Sequence, residues 1–532
     1  MRLRVLLVMV LVICGGCSFG RDGKLRQNHI SSQVEVGTDK GEIYFDEKQA
    51  KYVPAVELFT VAAVNPDLAF MEGEDLEYNV HTRWAEERLG IRIRYLWTLP
   101  GSSENFANKL RLELAKGKLP DIVTTRDREI IQELIDSGQF REVGSLFEQY
   151  ASTVWKQAMN EQPSVWDFYE REGEKYAIPI LDYEYNSDPL LWIRTDWLKK
   201  LGLPVPATIA KLEQVMEAFT RSDPDGNGKA DTFGLTLGFR NGASTWMGDS
   251  SWIFGAFGTI PEQWNRQPDG SLAYGSTQPG AKQGLALLKK WVKAGYVSGN
   301  SSWLDEEGAA ALFTSGKAGI IAGPYWMRGW PLSVLTDNEP EASFQAIAIP
   351  SGPEGHTGRR GTLPDNGAIL INKKMKHPEI FFKYQNYLFD YYATGTGEFA
   401  TGFAKGYDWA EVDGKPESDP TLLPLGGVRV SSYTLTFDGA RIPSQVVKAI
   451  PDDILPVLFQ QQGASMKDQF TGPPTLTMRT SWELLHMLEQ KTFQKIIFTD
   501  SPLSEFDAFV DLWSSYGGEQ ITREVRQWKQ AE

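Results

Sequence analysis

The chain opens on two arginines, Arg2 and Arg4, followed by an unbroken apolar run from Val5 to Ile13. A bilayer span needs about 20 apolar residues, so this run is too short to cross a membrane. Its charged start and short apolar core are those of an export leader. From Ser18 to Lys51 large apolar residues are scarce and Gly, Ser, Asp, Lys and Gln dominate. Such a composition buries too little apolar surface to offset the entropy of ordering, and it predicts a flexible tether over 18–51.

Regular patterning begins at Val56–Val61, a strand-like run, followed by a helical pattern from about Tyr78 to Leu89 that stops at Gly90, a natural C-terminal cap. Ile91–Leu96 alternates with period two, as a strand does. Phe106, Leu110, Leu112 and Leu114 then mark a helix closing through Gly117, and Leu119-Pro120-Asp121-Ile122-Val123 reads as a turn into a buried strand. This β-α-β-α-β order predicts a mostly parallel sheet with helices on both faces. The same grammar resumes with a strand at Trp192–Arg194, a short helix from Thr195, and a helix after Pro206 with Leu212, Val215, Met216 and Phe219 on one face. Strands are expected at Ala318–Ala322 and Phe344–Ile349, and an amphipathic helix over Phe381–Tyr392. Two α/β lobes that exchange the chain more than once fit this spread.

Length agrees: of the 532 residues, those after the tether exceed what one core usually serves. The net charge of −15 argues against nucleic acid, which wants clustered Lys and Arg. Both cysteines, Cys14 and Cys17, lie at the leader's end. Gly15-Gly16-Cys17 resembles a bacterial lipobox, with Cys17 as the acylated (palmitate-type) first residue of the mature chain. Processing would then leave no thiol for a disulfide, a Cys-ligated metal or thiol catalysis. Aromatics make up 12% with 17 Trp; their flat apolar faces match the C–H face of a sugar ring, although for any one Trp a core role is the more common.

Several segments together resemble family 1 extracellular solute-binding proteins of Gram-positive type. These are Leu119–Val123, Leu190–Leu203 (LLWIRTDWLKKLGL), Gly316-Lys317-Ala318-Gly319 through Tyr325-Trp326, Ile347–Gly355 (IAIPSGPEG), and the tail from Phe506 to Ile521. The resemblance implies a two-lobed periplasmic-binding-protein-like α/β fold of type II, with an interlobe ligand cleft and lobes sharing multiple crossovers. It implies a monomer on the outer face of the cytoplasmic membrane that delivers a carbohydrate, an oligosaccharide by preference, to the permease subunits of an ABC importer. On that basis the leader is 1–17 and the tether 18–51. The first lobe takes 52–182 plus about 343–400, and the second 183–342 plus about 401–532.

Asp223, Asp225, Asn227 and Asp231 place side-chain oxygens at positions 1, 3, 5 and 9 of a loop, Gly228 stands at position 6, and Lys229 offers its carbonyl at position 7. That spacing suits a Ca²⁺ ion and resembles the first nine residues of an EF-hand. Position 12 is Gly234 rather than Glu. In alginate-binding relatives a similar loop is completed by an acidic residue just after the last Asp, where this chain has Thr232. A solvated Asx-turn loop is the competing reading.

Ligand candidates combine aromatic faces with hydroxyl-binding groups where the chain should cross between lobes. They are Arg126 and Asp127 after the first turn motif, Tyr183, Tyr185 and Asn186, Trp246 and Trp252, Tyr325, Trp326 and Arg328, and Asp365 and Asn366. No His-Glu-x-x-His, Gly-x-Ser-x-Gly or Walker loop is present, and the five His are scattered. His81 and His486 are expected on helix surfaces or half-buried. The chain therefore reads as a binding protein and not an enzyme. A sugar sensor docking on a receptor and a secreted glycoside hydrolase or lyase with a carboxylate pair are the rival readings.

Overall fold

A computed structural model describes residues 43–64, 70–100, 103–418, 422–423, 430–436 and 439–531. The leader, Cys17 and the tether as far as 42 lie outside them. The tether expectation ends too late: Tyr44–Asp46 and Lys51–Val53 pair as a short antiparallel hairpin, and Tyr52 is buried.

The first body grows from the predicted β-α-β unit. Val56–Val64 pairs parallel with Ile91–Pro100, Val56 facing Ile91. Between them runs the helix Val80–Leu89, whose Asn79 forms a reciprocal capping box with Thr82. Gly90 closes it at φ 67°, where a Cβ would strike the Tyr52 carbonyl, so the position requires glycine on two grounds. The next helix, Ser103–Lys116, buries Phe106 and Leu110 while Leu112 points to solvent, against the expected face.

The mostly parallel sheet does not materialise. Asp365–Ile371 lies between Ile122–Thr125 and Ile178–Leu181, antiparallel to both. The reason is connectivity: this central strand re-enters from the other body instead of following a helix on the same sheet. Its inward residues join Leu58, Ile91, Ile122, Trp155 and Phe381 in one core. Phe403, Leu435 and Ile442 pack on that core as well, so part of the segment after 400 belongs with the first body.

The second body is built on Leu190–Arg194, flanked antiparallel by Ile320–Gly323 and Phe344–Ile347. Phe344–Ile347 was expected to open the first lobe's return; its pairing places it here, and the return begins after it. The helices Ile209–Arg221, Pro279–Ala294 and Met478–Phe498 bury Phe219, Leu288 and Phe493 around this sheet. His81 also departs from expectation. It is fully buried, bonded through Nε2 to the Tyr384 hydroxyl at 2.9 Å, and burial lowers its pKa to about 3.

The chain passes between the bodies three times, and the crossings are tied together. Asp188 on the first is ion-paired with Arg359 on the second, both almost fully buried. Asp188 also accepts from the Thr362 amide at 2.8 Å and hydroxyl at 2.9 Å. Gln461 on the third crossing donates to the Pro189 carbonyl at 3.0 Å and accepts from the Ile349 amide at 3.0 Å. Removing one partner of such a pair leaves a buried charge alone, which costs about 3–5 kcal/mol. Asp188→Ala is expected to lower urea-unfolding stability by that amount. Arg523→Ala, which breaks only exposed contacts with Glu519 and Gln520, is expected to change it by less than about 1 kcal/mol.

Candidate functional site

Where these crossings meet the ends of the first sheet, the bodies enclose a cleft of about 1000 Å³. Eight of the twelve candidates line it: Arg126, Tyr183, Asn186, Trp246, Tyr325, Trp326, Arg328 and Asn366. Tyr183 and Tyr325, from different segments, join hydroxyls at 2.9 Å. The Trp326 indole donates to the Asn186 carbonyl at 2.7 Å and meets Trp246 edge-on, ring centres 6.3 Å apart. Trp246 keeps 38% of its surface exposed, so an aromatic face is left to the cleft. Arg126 lies over that ring at 5.9 Å. The Trp246 loop is held from behind, its amide donating to Glu306 and the Thr245 carbonyl accepting from Arg360 at 2.5 Å.

The other four candidates serve the frame. Trp252 is fully buried, its indole bonded to the Asp249 carbonyl at 3.0 Å. Tyr185 is buried in the second body and takes φ 73°, a left-handed turn within the first crossing. Asp365 is buried between Arg128 at 2.7 Å and the Tyr169 hydroxyl at 2.5 Å, so its oxygens are committed. Asp127 caps the helix Arg128–Asp136 by accepting from the Glu129 and Ile130 amides.

Sequence reasoning missed Arg441, Tyr392 and Phe399, which also line the cleft. Tyr392 and Phe399 lie in or beside a helical pattern whose inward and cleft-facing positions look alike. Arg441 follows Gly439-Ala440 in a stretch without periodic signal. Its guanidinium sits over the Tyr183 ring at 5.5 Å and 3.5 Å from Asp182. Asp182 also accepts from the Tyr183 amide at 2.9 Å and the Asn186 side chain at 2.7 Å. Burial, opposed by Arg441, pushes its carboxyl up to about 6.

A second cleft of about 1210 Å³ opens where the helix Arg128–Asp136 faces the start of Met478–Phe498. Its lining is acidic, with Asp127, Glu129 and Asp468 among the carboxylates, and burial raises Asp468 to about 6. Arg479 crosses it to Asp136 at 2.6 Å. His486 meets Trp482 at a tilt, ring centres 4.7 Å apart, and burial holds it down at about 4.

The acidic loop follows the helix Ile209–Arg221. Asp223 takes φ 47° and accepts from the Gly228 amide at 3.0 Å through Oδ2. Its Oδ1 is buried without a hydrogen-bond partner, the feature that best fits a cation. Asn227 bridges Asp225 and Asp231, and Lys317 holds Asp231 at 2.7 Å. A side chain at Gly234 would strike Met216, so position 12 has no room for a ligand. Among the described residues, no three acidic, His or Cys side chains are gathered as a metal site.

The comparisons agree with this geometry. The family described as bacterial extracellular solute-binding protein matches residues 70–390. The polygalacturonan/rhamnogalacturonan-binding protein YtcQ of Bacillus subtilis (strain 168) is 26% identical over 466 residues, covering 80% of this chain and 83% of its own. The fructooligosaccharide ABC transporter substrate-binding protein FusA of Streptococcus pneumoniae serotype 4 is 25% identical over 302 residues, 54% of this chain and 52% of its own. The crystal structure of alginate-binding protein AlgQ2 without calcium ion superposes with a TM-score of 0.67 at 16% identity, over 89% of this chain and 98% of that one. The fold is the two-lobed periplasmic-binding-protein type.

The Asp182 carboxyl holds a proton more tightly folded, at about 6, than at its ordinary 3.8. Its favourable contribution is therefore complete below about 3.8 and is lost as pH rises through 6. Denaturation across pH is expected to show the wild type losing stability relative to Asp182→Asn between those values, with a constant difference above them.

Proposed function

The chain belongs to the bacterial extracellular solute-binding proteins, and from that premise we propose that it captures an oligosaccharide in the first cleft and delivers it to an ABC importer. One observation carries the reading: Trp246, Trp326, Tyr183 and Tyr325 present aromatic faces and hydroxyls to one space, beside the Asn186 and Asn366 amides. Sugar rings need both, an apolar face to stack on and directed partners for their hydroxyls. The two relatives named above bind polygalacturonan, rhamnogalacturonan and fructooligosaccharide, which supports a carbohydrate.

The two bodies act as the lobes. Hinge bending at the three crossings closes them on the ligand, and the closed form is what the permease reads. The protein works as a monomer tethered through an acylated Cys17 to the outer face of the cytoplasmic membrane. Asp223, Asp225, Asn227 and Asp231, with the Lys229 carbonyl, hold Ca²⁺ as a structural clamp, and the ion displaces Lys317 from Asp231.

Binding of the folded state raises the melting temperature with ligand concentration. Thermal-shift titration with oligosaccharides is expected to show such a rise without release of new reducing ends. Trp326→Ala is expected to weaken affinity at least about tenfold. No rise with any sugar refutes the reading, and new reducing ends move the chain to the hydrolase class. EDTA is expected to lower the melting temperature and Ca²⁺ to restore it, with Lys317→Met binding Ca²⁺ more tightly. Cys17→Ser is expected to shift the protein from the membrane fraction to the medium.

A further inference from the structure

The charges of this molecule are segregated in a way its net charge hides. The whole chain carries −15. The residues lining the first cleft nevertheless include Arg126, Arg328 and Arg441 and no Asp or Glu. The second cleft, also between the bodies, is lined by seven carboxylate residues against three arginines and one histidine.

The three arginines come from three separated segments: Arg126 follows the Ile122–Thr125 strand of the first body, Arg328 lies at the end of a short turn in the second, and Arg441 lies near the third crossing. Two of them lie over the cleft's own aromatic rings, and Arg441 is also ion-paired with the buried Asp182 carboxylate behind the lining at 3.5 Å. Arg126 lies over Trp246 at 5.9 Å and Arg441 over Tyr183 at 5.5 Å. Each of these places a guanidinium beside a ring on which a sugar would stack. Arg328 pairs with Asp453 at the rim, both half-exposed or more, a pairing that water weakens. Arginine's planar fork matches a carboxylate with two parallel hydrogen bonds, and stacking on an aromatic ring pre-organises it.

We infer that the ligand is an anionic oligosaccharide, of the uronic-acid class, whose ring carboxylates are taken by Arg126 and Arg441 while its apolar faces stack on Trp246 and Tyr183. The inference rests on the carbohydrate reading of the same cleft and narrows it. Acidic surfaces elsewhere would slow the approach of such a ligand, and the arginines supply the local attraction that offsets this.

The test uses the mature full-length chain and oligogalacturonates of defined length, each as the free acid and as the fully methyl-esterified oligomer, so that length and rings are matched and only charge differs. Calorimetric titration is expected to give the free acid at least tenfold tighter binding than the ester. Its affinity should fall as NaCl rises from 50 to 500 mM, since added salt screens charges, and that of the ester should not. Arg126→Gln is expected to weaken the free acid about tenfold or more and to leave the ester within about twofold, given what a charge-assisted hydrogen bond is worth. Arg126 is exposed, so the variant keeps the fold, and Arg126→Lys should restore part of the loss. Equal binding of acid and ester, or binding only of neutral oligosaccharides such as fructans or glucans, overturns the anionic assignment and leaves the carbohydrate reading intact. Failure of every oligosaccharide, charged and neutral, overturns both.

Discussion

The buried ion pair between Asp188 and Arg359 is the constraint on which the rest of the molecule depends. Two bodies that open and close must be joined by strands that bend without shearing, and three crossings bend together only when they move as one. Asp188 unites the first two by holding Arg359 and the Thr362 amide and hydroxyl at once. Gln461 adds the third by bonding backbone on both of the others. The arrangement is costly, because Arg359 is fully buried and its Nε and Nη2 find no hydrogen-bond partner. A buried charge pair is a poor source of stability compared with apolar packing. Its use here is positional: apolar residues would pack but would not fix the relative register of three strands.

That constraint also explains why hinge and binding surface are made of the same residues. Tyr183 and Asn186 lie on the first crossing a few residues before Asp188, Asn366 follows the second, and Arg441 lies near the third. The Asp182 carboxyl, lifted toward 6 by burial, binds the Tyr183 amide, the Asn186 side chain and Arg441 together. A bend at the crossings therefore re-aims the cleft groups directly, with no intervening element to transmit it. Energetic coupling between binding and closure needs differential contacts in the two states, and residues that belong to both hinge and cleft are placed to make them.

What was legible in the sequence divides along the same line. Elements with a strong local period were readable: the Val56–Val64 and Ile91–Pro100 strands, the helix capped by Asn79 and Gly90, and the Leu190–Arg194 strand. The antiparallel insertion of Asp365–Ile371 was not, since strand direction is set by where the chain re-enters and not by any local pattern. Phe344–Ile347 was misplaced for the same reason. Among candidate ligand residues, motif position pointed to Trp326 and Arg126, which line the cleft, and equally to Asp127 and Asp365, which do not. Composition could not separate Trp246 from Trp252, six residues apart, one in a loop facing the cleft and one in the short helix Ser251–Gly255 facing the core. Asp365 was chosen for its carboxylate; the structure commits both of its oxygens to Arg128 and Tyr169, two partners distant in sequence. Arg441 was invisible because nothing periodic surrounds it.

The acidic loop and the cleft show two opposite solutions to the cost of gathering like charges. In the loop, Asp223, Asp225 and Asp231 stand within a few residues of one another, and their repulsion is relieved by Lys317, by Asn227 and by backbone amides. Such relief is local and leaves one buried carboxylate oxygen of Asp223 without a partner, a residual cost that a divalent cation would remove. In the cleft, three arginines line one space and acids are kept off the lining, while aromatic rings and buried or rim carboxylates share their charge. Aromatic faces offset cationic charge only weakly, by about 0.5–2 kcal/mol each, so the Asp182 and Asp453 carboxylates do most of the offsetting for Arg441 and Arg328. On the anionic-ligand proposal, a bound carboxylate would offset the charge that these partners leave.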